Sequence, residues 1–316
     1  MTRPRLVCLV GPTASGKSAL ALELAERLGG EIVSADSRQV YRRLDIGTAK
    51  PTRAERARVP HHCLDLVEPD EPFDAARFRG VAAAAIAEIH RRGRAALVVG
   101  GTGLYLRVLL RGLCPAPPRV PALRAVLERQ VAEQGAPSLH RRLATLDPAA
   151  AGRIDPRDAV RIVRALEVGL ASGRRLSEWQ ARHRFAETPY DALVIGLARG
   201  VAELDARIAA RARRMVEAGF LEELRALRAR DFGPGAPGLG AVGYRELLAC
   251  LDGGSDLAQG LAAAVRATRR FAKRQRTWFR READVVWRHP ERERARIEAE
   301  VEEFLAGAAR PASARA

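Results

Sequence analysis

The stretch "RLVCLVGPTASGKSALALELAERLG" (5–29) joins an apolar run to a glycine-rich turn and then to a helical pattern. Within it, Gly11-x-x-x-x-Gly16-Lys17-Ser18 matches the phosphate-binding P-loop, in the strand–loop–helix setting the motif requires. Its glycines let backbone N–H groups turn toward phosphate oxygens, and the helix that follows adds its positive end. Lys17 would neutralise terminal phosphate oxygens, and the Ser18 hydroxyl would ligate Mg²⁺. Phosphate binding follows from the stretch. Which phosphate compound is held, and whether a phosphoryl group moves, does not.

Two further apolar runs, 31–35 and 95–99, end at Asp36 and at Gly100-Gly101. A helical pattern follows the P-loop, and another, "DAARFRGVAAAAIAEIHRRG" (74–93), precedes the third run. Strands alternating with helices at this spacing predict an α/β fold with a parallel sheet, whose ligands gather at the strands' carboxyl ends. After "CPAPPRVP" (114–121) the pattern turns all-helical until "DALVIGLA" (191–198), which reads as a strand, and the remainder reads as helical. The clearest helix of that middle region, "DPRDAVRIVRALEVGLASG" (155–173), takes Asp155 as N-cap, Pro156 at its first position and Gly173 at its stop. An α/β core of 1–115 and 190–316 is therefore expected around a helical insert of 116–189. The tail "GAARPASARA" (307–316) has a disordered composition.

The formal net charge of +16 and the isoelectric point near 11.0 point to a polyanionic partner. Only three of 54 basic residues are lysine (Lys17, Lys50 and Lys273), and one of them lies in the P-loop. Cys8, Cys63, Cys114 and Cys250 are scattered and form no Cys-x-x-Cys pair, so neither a disulfide framework nor a zinc module is indicated, which suits a reducing cytoplasm. No run approaches the ~18 apolar residues of a membrane span. The start, "MTRPRLVCLVGPTASGKS", enters its phosphate loop too soon for a secretory signal.

A P-loop alone does not make an ATPase, since hydrolysis needs a device that aims a nucleophile. Gly100-Gly101-Thr102 stands where a motor ATPase would carry an acid, and the acid follows the second run instead. Asp36, at a strand end facing the P-loop, could be a metal ligand, a general base, or a cap for the next turn. "DIGTAKP" (45–51) reads as a loop near an anion. In "HHCLDLVEP" (61–69), His61 and His62 point to opposite faces of a strand, so structural roles are expected. Residues 256–282 read as an amphipathic helix with a core stripe of Leu257, Leu261, Ala264, Thr268, Phe271, Gln275 and Trp278. Arg266, Arg269, Lys273, Arg276 and Arg280 form a basic ridge beside it, suited to a phosphate backbone. "GLGAVGYREL" (238–247) offers Tyr244 and Arg245 to stack or clamp, and Arg207 and Arg211 share a helix face that could meet a pyrophosphate.

Taken together, "GPTASGKS", "SADSRQVYRRLDIGTAKP", "FR" (78–79), "VVGGTGLYL", "RALEV", "GAVGYREL" and "TRRFAKRQRTWFRR" resemble the tRNA dimethylallyltransferases, or tRNA isopentenyltransferases, in their bacterial form. The resemblance runs from residue 11 to 281. It implies a P-loop-kinase-like core with the helical insert gripping the tRNA anticodon stem-loop. It also implies transfer of dimethylallyl from its diphosphate to N6 of the adenosine 3′ of the anticodon, in tRNAs reading codons that begin with U. On that reading the P-loop holds a leaving group, and carbon moves rather than phosphorus.

The resemblance makes Asp36, Thr102 and Arg211 catalytic, with Asp36 as base for the N6 amine. It assigns Gly11, Pro12, Thr13, Ala14, Ser15, Gly16, Lys17 and Ser18 to the diphosphate, with Mg²⁺ on Ser18. Contacts to tRNA would come from Asp36, Ser37, Arg38, Gln39 and Thr102, and in the insert from Arg124, Val160, Arg161, Ile162, Val163 and Arg164. Gly240, Ala241, Val242, Gly243, Tyr244 and Arg245 complete the set. Val160 replaces the polar residue common there, and the C-terminal zinc finger of eukaryotic members is missing. A cytoplasmic monomer with no obligatory protein partner is expected. The residues by themselves leave open a nucleotide or small-molecule kinase, an adenylate isopentenyltransferase, and an RNA-binding protein with a nucleotide switch.

Overall fold

The computed structural model describes residues 3–307, so 308–316 of the tail lie outside the described residues. The chain divides into two compact units, one of residues 1–110 and 188–316 and one of 111–187. In the first unit a six-stranded parallel sheet has the order β3-β2-β4-β1-β5-β6. The strands are β1 (Arg5–Val10), β2 (Glu31–Ser34), β3 (His61–His62), β4 (Ala96–Gly100), β5 (Asp191–Leu197) and β6 (Val285–Arg288). β1 reads as continuous apolar sequence because both of its faces are covered, and Leu6 to Val10 have no exposed surface. Its neighbours pair so that Val10 meets Gly100 and Ser34 meets Val99. The loops after β1, β2 and β4 therefore open side by side at one edge of the sheet.

Helix α1 (Lys17–Leu28) begins at Gly16, whose φ of 100° suits a residue without Cβ. Its Leu20 and Leu24 pack with Val7, Leu9, Ile32, Leu97 and Ile195, and the C-terminal helix Arg294–Ala306 adds Ile297, Val301 and Phe304 to the same core. Among the described residues, no helix is long and apolar enough to cross a membrane.

At the far end of the sheet, Glu31 begins β2 with its side chain 3% exposed. It accepts from His62 Nε2 at 2.7 Å, from Arg92 Nη2 at 2.8 Å and from Arg94 Nη1 at 3.3 Å. His61 turns to the Val59 carbonyl instead, so the adjacent histidines do diverge. Burial alone would raise the Glu31 carboxyl, but the hydrogen bonds and charges of His62 and Arg92 outweigh it and hold it below the usual range. A depressed carboxyl stabilises above its unfolded pKa, and that contribution disappears as pH falls through the folded value. Glu31→Gln is thus expected to lower stability by about 2–3 kcal/mol at neutral pH. The gap to the unaltered chain should close below about pH 4, as denaturant titrations across pH would read.

The second unit is helical, and Leu127, Leu139, Leu143, Ile162, Val163 and Leu166 form its core. Three expectations need correction. First, "VVWR" (285–288) is a strand, not helix, and pairs in parallel with β5 from Val194↔Val285 to Leu197↔Arg288. Second, the helix Ala159–Ser172 is capped by Asp158, which accepts from the Arg161 N–H at 3.1 Å, while Asp155 closes the preceding turn by accepting from Arg157. Third, the long helix Leu257–Phe279 buries Gly260, Ala264, Ala267, Ala272, Gln275 and Phe279, leaving Leu257 40% exposed. Ala264 and Gln275 of the expected stripe are buried and Leu261, Thr268, Phe271 and Trp278 half-buried, while Gly260, Ala267 and Ala272 beside them add small residues to the inner face.

Candidate active site

The P-loop leaves β1 and wraps the start of α1, with Ala14 as well as the glycines at positive φ. Side chains of the first unit hold it from outside. Arg199 Nε donates to the Ser15 carbonyl at 2.9 Å, and ion pairs to Glu203 and Glu291 fix that arginine. Arg207 Nε donates to the Ala14 carbonyl at 2.9 Å. Arg211 Nη1 reaches the Thr13 hydroxyl at 3.4 Å. Within the loop, Lys17 Nζ donates to the Pro12 carbonyl at 2.7 Å and approaches Ser15 Oγ at 3.5 Å.

Lys17 and Arg211 have no ion pair among the described residues, in a chain where arginines pair freely. Burial lowers the Lys17 ammonium to about 7; the Asp36 carboxylate opposes this, and the Arg211 charge adds to it. Arg211 is likewise lowered by burial, against the pull of Asp36. Two half-buried cations without a carboxylate of their own make a cradle for an anion.

Asp36 follows β2. One of its oxygens accepts from the Arg38 N–H at 2.8 Å, so it does cap its own turn while its field reaches both cations. Thr102 is spent on the same turn: its hydroxyl accepts the Ser37 N–H at 3.0 Å and lies 3.4 Å from Ser37 Oγ. Gly100 permits this approach, since a Cβ there would fall 2.1 Å from the Ala35 carbonyl oxygen.

Other expected site residues turn inward. The half-buried Gln39 amide is held by Ser34 Oγ at 2.9 Å and by the Thr48 and Ala49 carbonyls. Tyr244 is fully buried: it packs edge-on to Phe220 and donates its hydroxyl to Glu223 at 2.5 Å, so it neither stacks nor clamps. Burial and the Glu223 carboxylate raise its phenol well above the ordinary value. Ala241 and Gly243 are buried, Val242 is half-buried, and Gly240 and Arg245 are exposed. Arg38 donates to the Pro237 carbonyl at 2.9 Å. The anion near "DIGTAKP" proves internal. Glu223 accepts from the N–H groups of Asp45, Ile46 and Gly47, and the buried Lys50 pairs with Asp45 and Asp65 at 2.6 and 2.7 Å.

In the helical unit Val160 and Arg161 are exposed, whereas Ile162 and Val163 are core and cannot meet RNA. Sequence reasoning missed Glu167. Fully buried, it joins Arg124 (3.4 Å) and Arg164 (3.0 Å) and accepts from Val120 N at 2.9 Å. An acid inside the apolar "RALEV" pattern, three residues after Arg164, was the available sign. Arg266, Arg269, Lys273 and Arg280 of the basic ridge are exposed, and Arg276 is half-buried.

A parallel sheet whose central strand ends in a P-loop, with two cations that form no ion pair among the described residues and that feel one carboxylate, defines an α/β enzyme of the P-loop class acting on a phosphorylated compound. The IPP transferase family model matches residues 39–282, and the isopentenyl transferase model matches 4–65. The chain belongs to the IPP transferase family. A tRNA dimethylallyltransferase of Anaeromyxobacter dehalogenans is 57% identical over 286 residues, 90% of this chain and 95% of that one. One from Geobacter metallireducens is 52% identical over 285 residues, 90% and 92% of the two chains. The crystal structure of the tRNA isopentenylpyrophosphate transferase from Bacillus halodurans superposes with a TM-score of 0.70 at 38% identity over 96% of each chain. A eukaryotic dimethylallyltransferase, captured in crystallographic snapshots acting on tRNA, has a TM-score of 0.84 at 26% identity, covering 98% of this chain and 81% of that one.

Proposed function

We propose that this chain transfers the dimethylallyl group of dimethylallyl diphosphate to N6 of the adenosine 3′-adjacent to the anticodon, in tRNAs that read U-starting codons. The observation that carries the reading is the pairing of Lys17 and Arg211, both without an ion pair among the described residues, with the single carboxylate Asp36 near enough to act on both. Cations suit a departing diphosphate, and a carboxylate suits a departing proton.

In the reaction the N6 lone pair attacks the allylic carbon as its C–O bond to diphosphate breaks. The N6 proton passes to Asp36, giving N6-(dimethylallyl)adenosine and diphosphate. The amine is scarcely acidic, so proton removal accompanies C–N bond formation. Backbone N–H groups of the P-loop, Lys17 and Arg211 would take the charge that grows on the leaving oxygen. The adenine must leave its stack to reach a donor seated at the sheet edge, which base flipping provides.

Magnesium fits this donor set. Ser18 is exposed in the first turn of α1 and offers a hard oxygen, with the diphosphate and water supplying the rest. Among the described residues no cluster of three or more His, Cys, Asp or Glu stands ready to hold an ion alone. When bound, Mg²⁺ would neutralise diphosphate charge. The exposed cations of the Leu257–Phe279 helix, with Arg161 and the Glu167-ordered arginines of the helical unit, suit an RNA backbone.

The test is mass spectrometry of unmodified tRNA after incubation with the protein, dimethylallyl diphosphate and Mg²⁺. A gain of one dimethylallyl group in place of a proton is expected. Unchanged tRNA, with label moving from γ-labelled ATP to an acceptor, would overturn the reading in favour of a kinase.

A further inference from the structure

Gln275 sits in the middle of the long helix Leu257–Phe279, yet it is only 7% exposed. Its Oε1 accepts the Thr13 N–H at 2.8 Å, and its Nε2 donates to the Gly101 carbonyl at 2.9 Å. One partner can only donate and the other only accept, so the orientation of the amide is fixed by the pair. The bond to Gly101 is buried and the one to Thr13 half-buried, and a missing partner is felt most out of water.

These bonds join the two halves of the site. Thr13 belongs to the P-loop and carries the hydroxyl that meets Arg211. Gly101 precedes Thr102, whose hydroxyl holds the backbone of Ser37, the residue after Asp36. A continuous path therefore runs from the cradle through Gln275 to the turn that presents the carboxylate. Gly101 is shaped to this amide, since a Cβ there would fall 2.1 Å from Nε2. The Thr13 N–H, being engaged by Gln275, is withdrawn from substrate and given to this strut.

We propose that Gln275 is a positioning residue that sets the separation between the diphosphate cradle and the base. The inference rests on the function proposed above. Displacement at a saturated carbon needs nucleophile, carbon and leaving oxygen in one line, and a misplacement near 1 Å costs about a hundredfold in rate. The cradle follows β1, while the base follows β2 and is held from the loop after β4, so separate strands must be kept in step. Gln275 bonds to the β1 loop and the β4 loop at once.

Gln275→Met keeps the volume without adding charge and removes both bonds. Its single-turnover transfer to tRNA is expected to fall about ten- to a hundredfold. Inhibition by inorganic pyrophosphate and the KM for tRNA should each move by less than about threefold, because the cradle's own cations remain. Transfer at the unaltered rate would overturn the proposal, and so would pyrophosphate affinity falling as far as the rate, since Gln275 would then only shape the cradle. Gly101→Ala, which displaces the amide from its other end, is expected to give the same split.

A second measurement does not depend on transfer. Adding pyrophosphate to the unaltered chain should slow hydrogen exchange of the peptide spanning 99–105, and in Gln275→Met it should not. Equal protection in both would overturn the coupling, even where tRNA modification itself had failed and the functional reading had fallen with it.

Discussion

Asp36→Asn is expected to slow dimethylallyl transfer about 10²–10⁴-fold, the range that a positioned general base contributes. The substitution preserves shape. An asparagine oxygen can still accept from the Arg38 N–H, so the turn that Asp36 closes at 2.8 Å should survive. What disappears is a group able to take the N6 proton. Affinity for tRNA should change by less than about threefold, since one carboxylate contributes little to a contact dominated by phosphate neutralisation. Single-turnover kinetics with a separate tRNA-binding titration read the two quantities independently. Transfer at an unaltered rate would remove Asp36 as the base. A loss confined to tRNA affinity would make it a docking residue. The carboxylate also draws Lys17 and Arg211 toward their charged forms. Its removal therefore leaves Lys17 less fully charged, which adds to the loss in rate.

What the sequence made legible was the set of segments that carry their own punctuation. β1, β2 and β4 are apolar runs closed by glycine or an acid, β5 is an apolar run in a helical stretch, and the P-loop is specified by backbone needs that only certain residues meet. That the P-loop, Asp36 and Thr102 gather at one edge followed from their places at the carboxyl ends of strands in a parallel sheet. What stayed hidden depended on partners remote in the chain. β6 is four residues long and emerges from a charged stretch, so its pairing with β5 left little local pattern. Tyr244 in a glycine-rich turn reads as a platform for a base, and its burial is decided by Phe220 and Glu223, more than twenty residues upstream. Lys50 reads as a cation awaiting an anion until Asp65 folds back onto it. The inner face of the Leu257–Phe279 helix was read only in part, because the Gly260, Ala267 and Ala272 it also buries carry almost no hydrophobic pattern while allowing close approach. Gln275 fell on the expected core stripe. Nothing in its neighbourhood indicated that its amide would be shared between two loops.

Arg211→Ala is expected to cost about 10²–10³ in kcat, the typical effect of removing one preorganised donor from a developing oxyanion. The loss should fall on kcat more than on the KM for the donor, because charge on the leaving oxygen grows only as the C–O bond breaks. One effect works against it. Arg211 helps to lower Lys17, which burial already brings to about 7, so deleting the arginine lets the lysine regain charge. At neutral pH a group with that value is already about half protonated, and full recovery returns at most about a factor of two. The arginine's own loss wins. Arg211→Lys should recover only part of the rate, since a compact ammonium lacks the planar fork that can span two phosphate oxygens. Arg207, exposed and bonded to the Ala14 carbonyl, serves as the comparison, and Arg207→Ala should lower kcat by less than about tenfold. The measurement is kcat and KM for dimethylallyl diphosphate at saturating tRNA, alongside inhibition by inorganic pyrophosphate. Transfer within about threefold of the unaltered chain in Arg211→Ala would place the charge of the leaving group on Lys17 and the loop backbone alone.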